Sequence, residues 1–411
     1  MNLNRERYEV VDVVRGAAIF GILLVNMAHF SYPDVYLYQI GSENFFTETW
    51  RTWDFLTKNI LEIFVQMKFI TMFSLLFGFG IIIMEERALG NGRNFVSIYI
   101  RRLVVLFVFG LIHSFFIWDG DILMDYAVLG FLLLFFRKCS WKTLLVWTVC
   151  LFSLYLLLIG LMTAVSNGED ALVQKREQAA LLEEEARNAI HSYQNGSFTD
   201  IFHQRIHDRL FYMSMSGMWP FQPLVYIINM LPYISMFLVG MIFAKQKLFQ
   251  EPEKHRRLLT AIWFFGLIIG LPLNIFAVTA KNSFYMVFGA PFLMLFYVTS
   301  LIFLYFHPIC RQIVKKIAPV GRMSLTNYIM QSVICTYLFY HYGLGLYGKV
   351  YPFAGFWLAL AIFAVQLIIS HIWFKYFQLG PLEWVWRTAM YFKRQPIRMK
   401  KEVSKHNNRS R

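Results

Sequence analysis

The hydrophobic residues of this chain fall into ten apolar runs separated by polar or charged stretches. The runs cover about 13–31, 59–84, 103–118, 121–136, 143–165, 223–244, 258–279, 284–306, 323–346 and 353–377. Most reach the roughly 20 residues that an α-helix needs to cross a hydrocarbon core about 30 Å thick. The third and fourth are shorter, and Trp118-Asp119-Gly120-Asp121 between them predicts a tight hairpin at one membrane face. The pattern predicts an all-α integral membrane protein, a polytopic bundle of about ten transmembrane helices. Five lie within 1–165 and five within 223–378. The stretch between them, 166–222, is polar and rich in Ala, Leu, Glu, Gln, Lys and Arg, which are good helix formers. It predicts an external helical insertion with a solvated surface and no catalytic features. In 379–411, Leu382, Trp384, Trp386 and Tyr391 are interleaved with basic residues, as in an interfacial helix and a basic tail.

Composition agrees with this division. Of 411 residues, 57% are hydrophobic and 16% charged, and the mean hydropathy is +0.48; a soluble domain carries about 25% charged residues. The net charge of +14 would suit a nucleic-acid binder, but the placement of the charges argues otherwise. With the N-terminus inside and the loops alternating, 29 Lys and Arg fall on the inner side and 9 on the outer, with Lys68 inside a run. That bias places both termini in the cytoplasm. The basic tail then faces anionic lipid headgroups, with no nucleic acid required. The first run carries Asp12 and Arg15, and no small-residue cleavage site follows, unlike a cleaved signal peptide. Cys139, Cys150, Cys310 and Cys335 lie apart, with neither metal-ligand spacing nor a disulfide framework.

Polar residues inside a bilayer are expensive, so those in the runs are the candidates for function. Asp12 and Arg15 are three apart at the mouth of the first run, and Asn26 lies about three turns deeper. Lys68, about a third of the way into the second run, would lose its charge there or pair with an anion. His113 stands near the outer end of the third run, next to the hairpin carrying Asp119 and Asp121. A carboxylate can orient such an imidazole and raise its basicity; interhelical hydrogen bonding is the simpler role. His29 reads as an interfacial residue, and Arg101 and Arg102 as inner-face anchors or a phosphate site. Arg322, Asn327 and Gln331 bring hydrogen-bonding groups into the ninth run. They could serve a ligand or tie helices together at about 0.6 kcal/mol per contact. No P-loop, GxGxxG, HExxH or GxSxG pattern is present.

Asp12-Val13-Val14-Arg15-Gly16, Phe73-Ser74-Leu75-Leu76-Phe77-Gly78, His113 through Asp121 with Tyr126, and Gly321-Arg322-Met323-Ser324-Leu325-Thr326-Asn327-Tyr328 resemble the YeiB-like family. So do Tyr376-Phe377 and Gly380-Pro381-Leu382-Glu383-Trp384. This is domain-of-unknown-function family 418 of bacterial inner membranes, and the likeness runs over essentially the whole chain. The opening Arg-Gly span is also similar to that of the transmembrane acyltransferase superfamily, whose enzymes move an acyl group from cytoplasmic acyl-CoA to a sugar across the membrane. Its acyltransferase-3 branch places a histidine about eleven residues after this arginine, where this chain has Asn26.

The expectation that follows is acyl transfer from a cytoplasmic donor, acyl-CoA, to a glycan or lipid of the cell envelope. No permanently bound cofactor and no metal are expected. His113 would be the base, oriented by Asp119 or Asp121. Asp12, Arg15, Asn26, Lys68, Arg102, Arg322, Asn327 and Gln331 would form the ligand-binding set, the cations holding phosphates or the acyl carbonyl. A transporter or lipid flippase would line its path with the same residues, and a non-enzymatic membrane protein would use them for packing.

Overall fold

A computed structural model describes residues 9–40, 44–165, 169–216 and 223–399. The described residues are almost entirely helical, with no strand beyond a single bridge between Phe377 and Arg398. Helix α1 (Glu9–Ser31) is followed by the short α2 (Asp34–Ile40), then α3 (Thr52–Phe64), α4 (Lys68–Leu89), α5 (Phe95–Ile112) and α6 (Leu123–Phe136). Helix α7 (Trp141–Val165) leads into the polar pair α8 (Glu169–Asn195) and α9 (Phe198–Ser216). The second half holds α10 (Pro223–Lys245), α11 (Arg256–Thr279), α12 (Ser283–Phe306), the short α13 (Pro308–Val314) and α14 (Ala318–Arg322), α15 (Ser324–Phe339), α16 (Pro352–Tyr376) and α17 (Pro381–Tyr391).

Among the described residues, eight helical stretches are long and apolar enough to cross a membrane. The fourth and ninth apolar runs are shorter as helices. Helix α6 has 14 residues and α15 has 16, about 21 and 24 Å long. The ninth run was expected to continue to 346, but α15 stops at Phe339. The chain then turns through Gly345 and Gly348, whose φ of +62° and +71° suit residues without a Cβ.

The second run holds a break that its composition did not signal. Helices α3 and α4 together span Thr52 to Leu89, separated at 65–67, where Met67 takes a left-handed φ of 67° without being glycine. The break ends α3 inside the protein and leaves its last carbonyls without helical partners. Fully buried Lys68 supplies one: its Nζ donates to the Glu62 carbonyl at 2.8 Å. A cation at a helix C-terminus also complements the helix dipole.

Helix α1 is the axis of the bundle, packed against α4, α12, α14, α15 and α16. Its closest neighbour is α14, because a Cβ on Gly321 would sit 1.9 Å from the Asp12 carbonyl oxygen. Helices α4 and α10 meet through Gly78 and Gly240, each facing the other helix's backbone. Small residues allow this approach, and packing contacts replace the hydrophobic drive that lipid does not supply. Helices α7 and α11 lie at the periphery with mostly exposed apolar surfaces, among them Val146, Trp147, Phe264 and Phe265. Apolar side chains of this size in such density suit contact with lipid.

The polar helices α8 and α9 pack on each other and are not simply solvated. Helix α8 packs on α2, and α9 buries Arg205, Asp208 and Arg209 against the membrane bundle. At the other face α17 lies beside the start of α5. There the Trp386 Nε1–H donates to the Arg102 carbonyl at 3.1 Å, and the Arg101 guanidinium stands 4.9 Å from the Phe392 ring. The tail beyond 399 lies outside the described residues.

Candidate functional site

The site grows from the end of α5. Residues His113–Ile117 widen into a π-turn, closed by the Trp118 N–H on the His113 carbonyl at 2.8 Å. Such one-turn widenings recur at functional sites because they re-aim side chains. The hairpin that follows carries two carboxylates, and each takes a different histidine. Asp121 Oδ1 is 2.8 Å from His113 Nδ1, and Asp119 Oδ2 is 2.8 Å from His29 Nε2. The expectation that Asp119 or Asp121 orients His113 therefore resolves to Asp121. His29 is not a bare interfacial residue, since it shares the hairpin with His113. Trp118 stands between the imidazoles, its ring centroid 5.2 Å from that of His29 and 6.1 Å from that of His113.

The two pairs differ in access. His113 is fully buried and uses both ring nitrogens, Nε2 lying 2.8 Å from Ser332 Oγ. His29 has a side chain 19% exposed, and its Nδ1 has no hydrogen bond among the described residues. His29 and Asp119 line a small pocket with Tyr32, Asp34, Tyr36 and Asp208. The pocket is about 10 Å³ in volume, the room of one water molecule. Burial alone would raise the Asp119 carboxyl, but the His29 charge and hydrogen bond beside it hold it below the ordinary value. Burial raises Asp34, against the opposing pull of His29 and Lys58.

Helix α9 fixes this hairpin from outside the bundle. Arg209 Nη1 donates to the Asp119 carbonyl at 2.9 Å and to the Asp121 carbonyl at 3.3 Å. Arg205, one turn earlier on the same helix face, donates to the Phe116 carbonyl at 2.7 Å. Asp208 accepts from the Tyr36 hydroxyl at 2.6 Å and the Tyr193 hydroxyl at 2.5 Å. Sequence reasoning missed these residues and Ser332. The i, i+4 spacing of Arg205 and Arg209 was the available signal, and it also fits an ordinary solvated helix.

At the opposite end of the bundle, Arg15 and Asp12 form the local pair that their spacing suggested, at 3.4 Å. Arg102 is near enough to Arg15 for mutual repulsion, and its guanidinium lies 5.3 Å from the Phe77 ring and 5.2 Å from Trp386. Arg322 stacks on Phe374 at 3.8 Å. Lys68 does not join these cations. Arg102 reaches Met84 on α4, sixteen residues and about 24 Å from Lys68. Asn327 and Gln331 face other helices: Asn327 Nδ2 donates to Ser370 Oγ at 3.2 Å, and Gln331 Nε2 to Gln366 Oε1 at 2.8 Å. Gln366 Nε2 closes the ladder on the Asn327 carbonyl at 2.9 Å. Asn26 is half-buried on α1, one turn before His29. Among the described residues, no three His, Cys, Asp or Glu side chains are disposed to hold a metal ion.

This is the architecture of a polytopic helical membrane protein with two His–carboxylate pairs on one hairpin. A family model described as "Protein of unknown function (DUF418)" matches residues 243–393. The chain is 50% identical to "Uncharacterized protein YxaH" of Bacillus subtilis (strain 168) over 402 residues, 98% of each chain. It is 29% identical to "Uncharacterized protein YeiB" of Escherichia coli (strain K12), over 93% of this chain and 96% of the relative. The chain belongs to the YeiB-like DUF418 family. No solved structure matches it. Neither relative's name carries an activity.

Proposed function

We propose that this chain is an acyltransferase of the bacterial cell membrane, with ten membrane-crossing segments and both termini in the cytoplasm. The partition of 29 Lys and Arg against 9 supports that orientation. An acyl-CoA donor meets Arg15 and Arg102 at the cytoplasmic face, where guanidinium groups suit its phosphates. A hydroxyl or amine of an envelope glycan or lipid meets His29 at the other. Arg15 and His29 are fourteen residues apart on α1, about 21 Å, so one helix carries a cation toward the donor and a base toward the acceptor.

The observation that carries the reading is the His29–Asp119 pair at 2.8 Å on a polar pocket opposite the arginines. In its neutral form, with the Nε2–H on Asp119, the His29 ring can take the acceptor's proton at Nδ1 as the acceptor attacks the acyl carbonyl, and the carboxylate stabilises the ring as it charges. The base for the acceptor is therefore His29 rather than His113, which is fully buried. The test incubates purified protein with an alkyne-tagged acyl-CoA and an envelope extract. Tag should pass to a glycan or lipid, and His29→Gln should lower the rate about 10²–10⁴-fold. Folded wild-type protein that neither transfers the tag nor retains acyl-CoA in native mass spectrometry overturns the reading.

A transporter is the second reading, favoured by the broken span at 65–67, a device that transporters use to build midplane sites. Against it, Lys68 already takes a carbonyl that the break frees at the end of α3. Solute uptake dependent on Lys68 without acyl chemistry would select it.

A further inference from the structure

The transfer through His29 leaves one constellation unused. Ser332 Oγ lies 2.8 Å from His113 Nε2, and His113 Nδ1 lies 2.8 Å from Asp121 Oδ1. Asp121 is itself held: its Oδ2 accepts the Met124 N–H at 2.9 Å in the first turn of α6, and Arg209 grips its backbone carbonyl. A carboxylate only accepts, so Nδ1 carries the imidazole proton and Nε2 accepts the Ser332 hydroxyl. The hydroxyl has no other hydrogen bond among the described residues. Nucleophile, base and orienting carboxylate thus stand in the order and at the distances of an activated serine. A second observation lies beside them. The Trp118 Nε1–H is buried without a partner, 1% of the residue being exposed, next to His113. A buried donor in a dry site is costly to leave unmade, and it suits a carbonyl oxygen that becomes negative during attack.

We propose that Ser332 is a covalent carrier of the acyl group, a step that rests on the acyl-transfer reading. Ser332 Oγ attacks the thioester carbonyl while His113 Nε2 takes the hydroxyl proton. The carbon–sulfur bond breaks, CoA leaves as its thiolate, and the acyl group remains as a Ser332 ester while His113 keeps the proton. The acceptor's hydroxyl or amine then gives its proton to His29 and attacks the ester; the bond from the carbonyl carbon to Oγ breaks, His113 returns its proton to Ser332 Oγ, and His29 releases its own to the pocket. No oxidant or reductant is needed. Ser332 and His113 are 1% and 0% exposed; water is kept from the ester, and the acyl chain enters by displacing Tyr328, whose ring lies against His113.

Two probes test this on the full chain in nanodiscs. A fluorophosphonate reads serine activation alone, and an alkyne-tagged acyl-CoA without acceptor traps the ester; peptide mass spectrometry locates both. Both should mark Ser332, disappear in Ser332→Ala, and fall at least about 10²-fold in His113→Gln. Unchanged tryptophan fluorescence and a monodisperse elution profile show that the variants are folded. Acyl transfer to the envelope extract by Ser332→Ala at the wild-type rate, with no ester on wild-type Ser332, overturns the proposal and leaves the acyl-transfer reading standing. Absence of both ester and transfer in wild type overturns both.

Discussion

His29 and His113 hang on carboxylates two residues apart, yet the fold gives them opposite surroundings. His113 is enclosed by α5, the hairpin and α15, and both nitrogens are spent on protein groups. His29 reaches the same hairpin from α1, spends one nitrogen on Asp119 and turns toward a pocket. The enclosed histidine has the more complete hydrogen-bond geometry, and the half-open one has the access. Burial strengthens polar interactions by lowering the local dielectric and in the same stroke keeps substrates out. A site that handles a reactive acyl group and a polar acceptor can use one environment for each. In this molecule a single hairpin, clamped by Arg209, supplies both.

The largest expected effect separates the two histidines by step. His29→Gln should keep the tagged ester on Ser332 while transfer to acceptor falls about 10²–10⁴-fold; His113→Gln should prevent the ester from forming. Equal loss at both steps in both variants, read by adduct mass and product formation, would erase the distinction.

The next effect is on stability. His113→Ala orphans Asp121 and Ser332 in a dry interior, at about 1–3 kcal/mol for each unsatisfied group. His29→Ala orphans only Asp119, beside a pocket that admits water. Melting in detergent should show the larger loss for His113→Ala, and the reverse order would place the buried cost elsewhere. Arg209→Ala removes the guanidinium bonds to two hairpin carbonyls, of which that of Asp119 keeps the Asp121 N–H; it should cost less than His113→Ala, while also slowing transfer, because the hairpin positions both carboxylates.

Acidification gives a smaller and signed effect. The Asp119 carboxyl lies below its ordinary value of 3.8 in the folded protein. Its contribution is therefore complete above 3.8 and is lost as pH falls through the lowered value. Melting temperature should drop more steeply below that pH in wild type than in Asp119→Asn, and parallel curves would remove the contribution. The smallest effect belongs to the α15–α16 ladder: Gln331→Leu should cost about 0.6 kcal/mol, with transfer unchanged.

The apolar runs made the bundle legible, because a helix in lipid must satisfy its own backbone and therefore writes long hydrophobic stretches into the sequence. The hairpin was legible too, since Trp118-Asp119-Gly120-Asp121 interrupts two such stretches. The break at 65–67 was not, for it contains neither glycine nor proline and is held by Lys68 from six residues beyond Glu62. The end of α15 at Phe339 was hidden in the same way, by apolar residues that continue past it.

Within the site, the sequence marked His113, Asp119 and Asp121 as polar groups that a membrane tolerates only for cause. It could not assign their partners. His29 lies 90 residues from Asp119, Ser332 lies 219 from His113, and Arg209 lies 88 from Asp121. Periodicity and transfer energy act along the chain, and they determined by themselves the membrane-spanning class and the polar residues worth asking about. Which carboxylate meets which imidazole is decided across the bundle, by the packing of α15 against α1 and against the turn that follows α5, and by the buried arginine that holds the hairpin. Only the tertiary structure carries that information, because a hydrogen bond depends on distances of about 3 Å that no spacing along a helix fixes between separate helices.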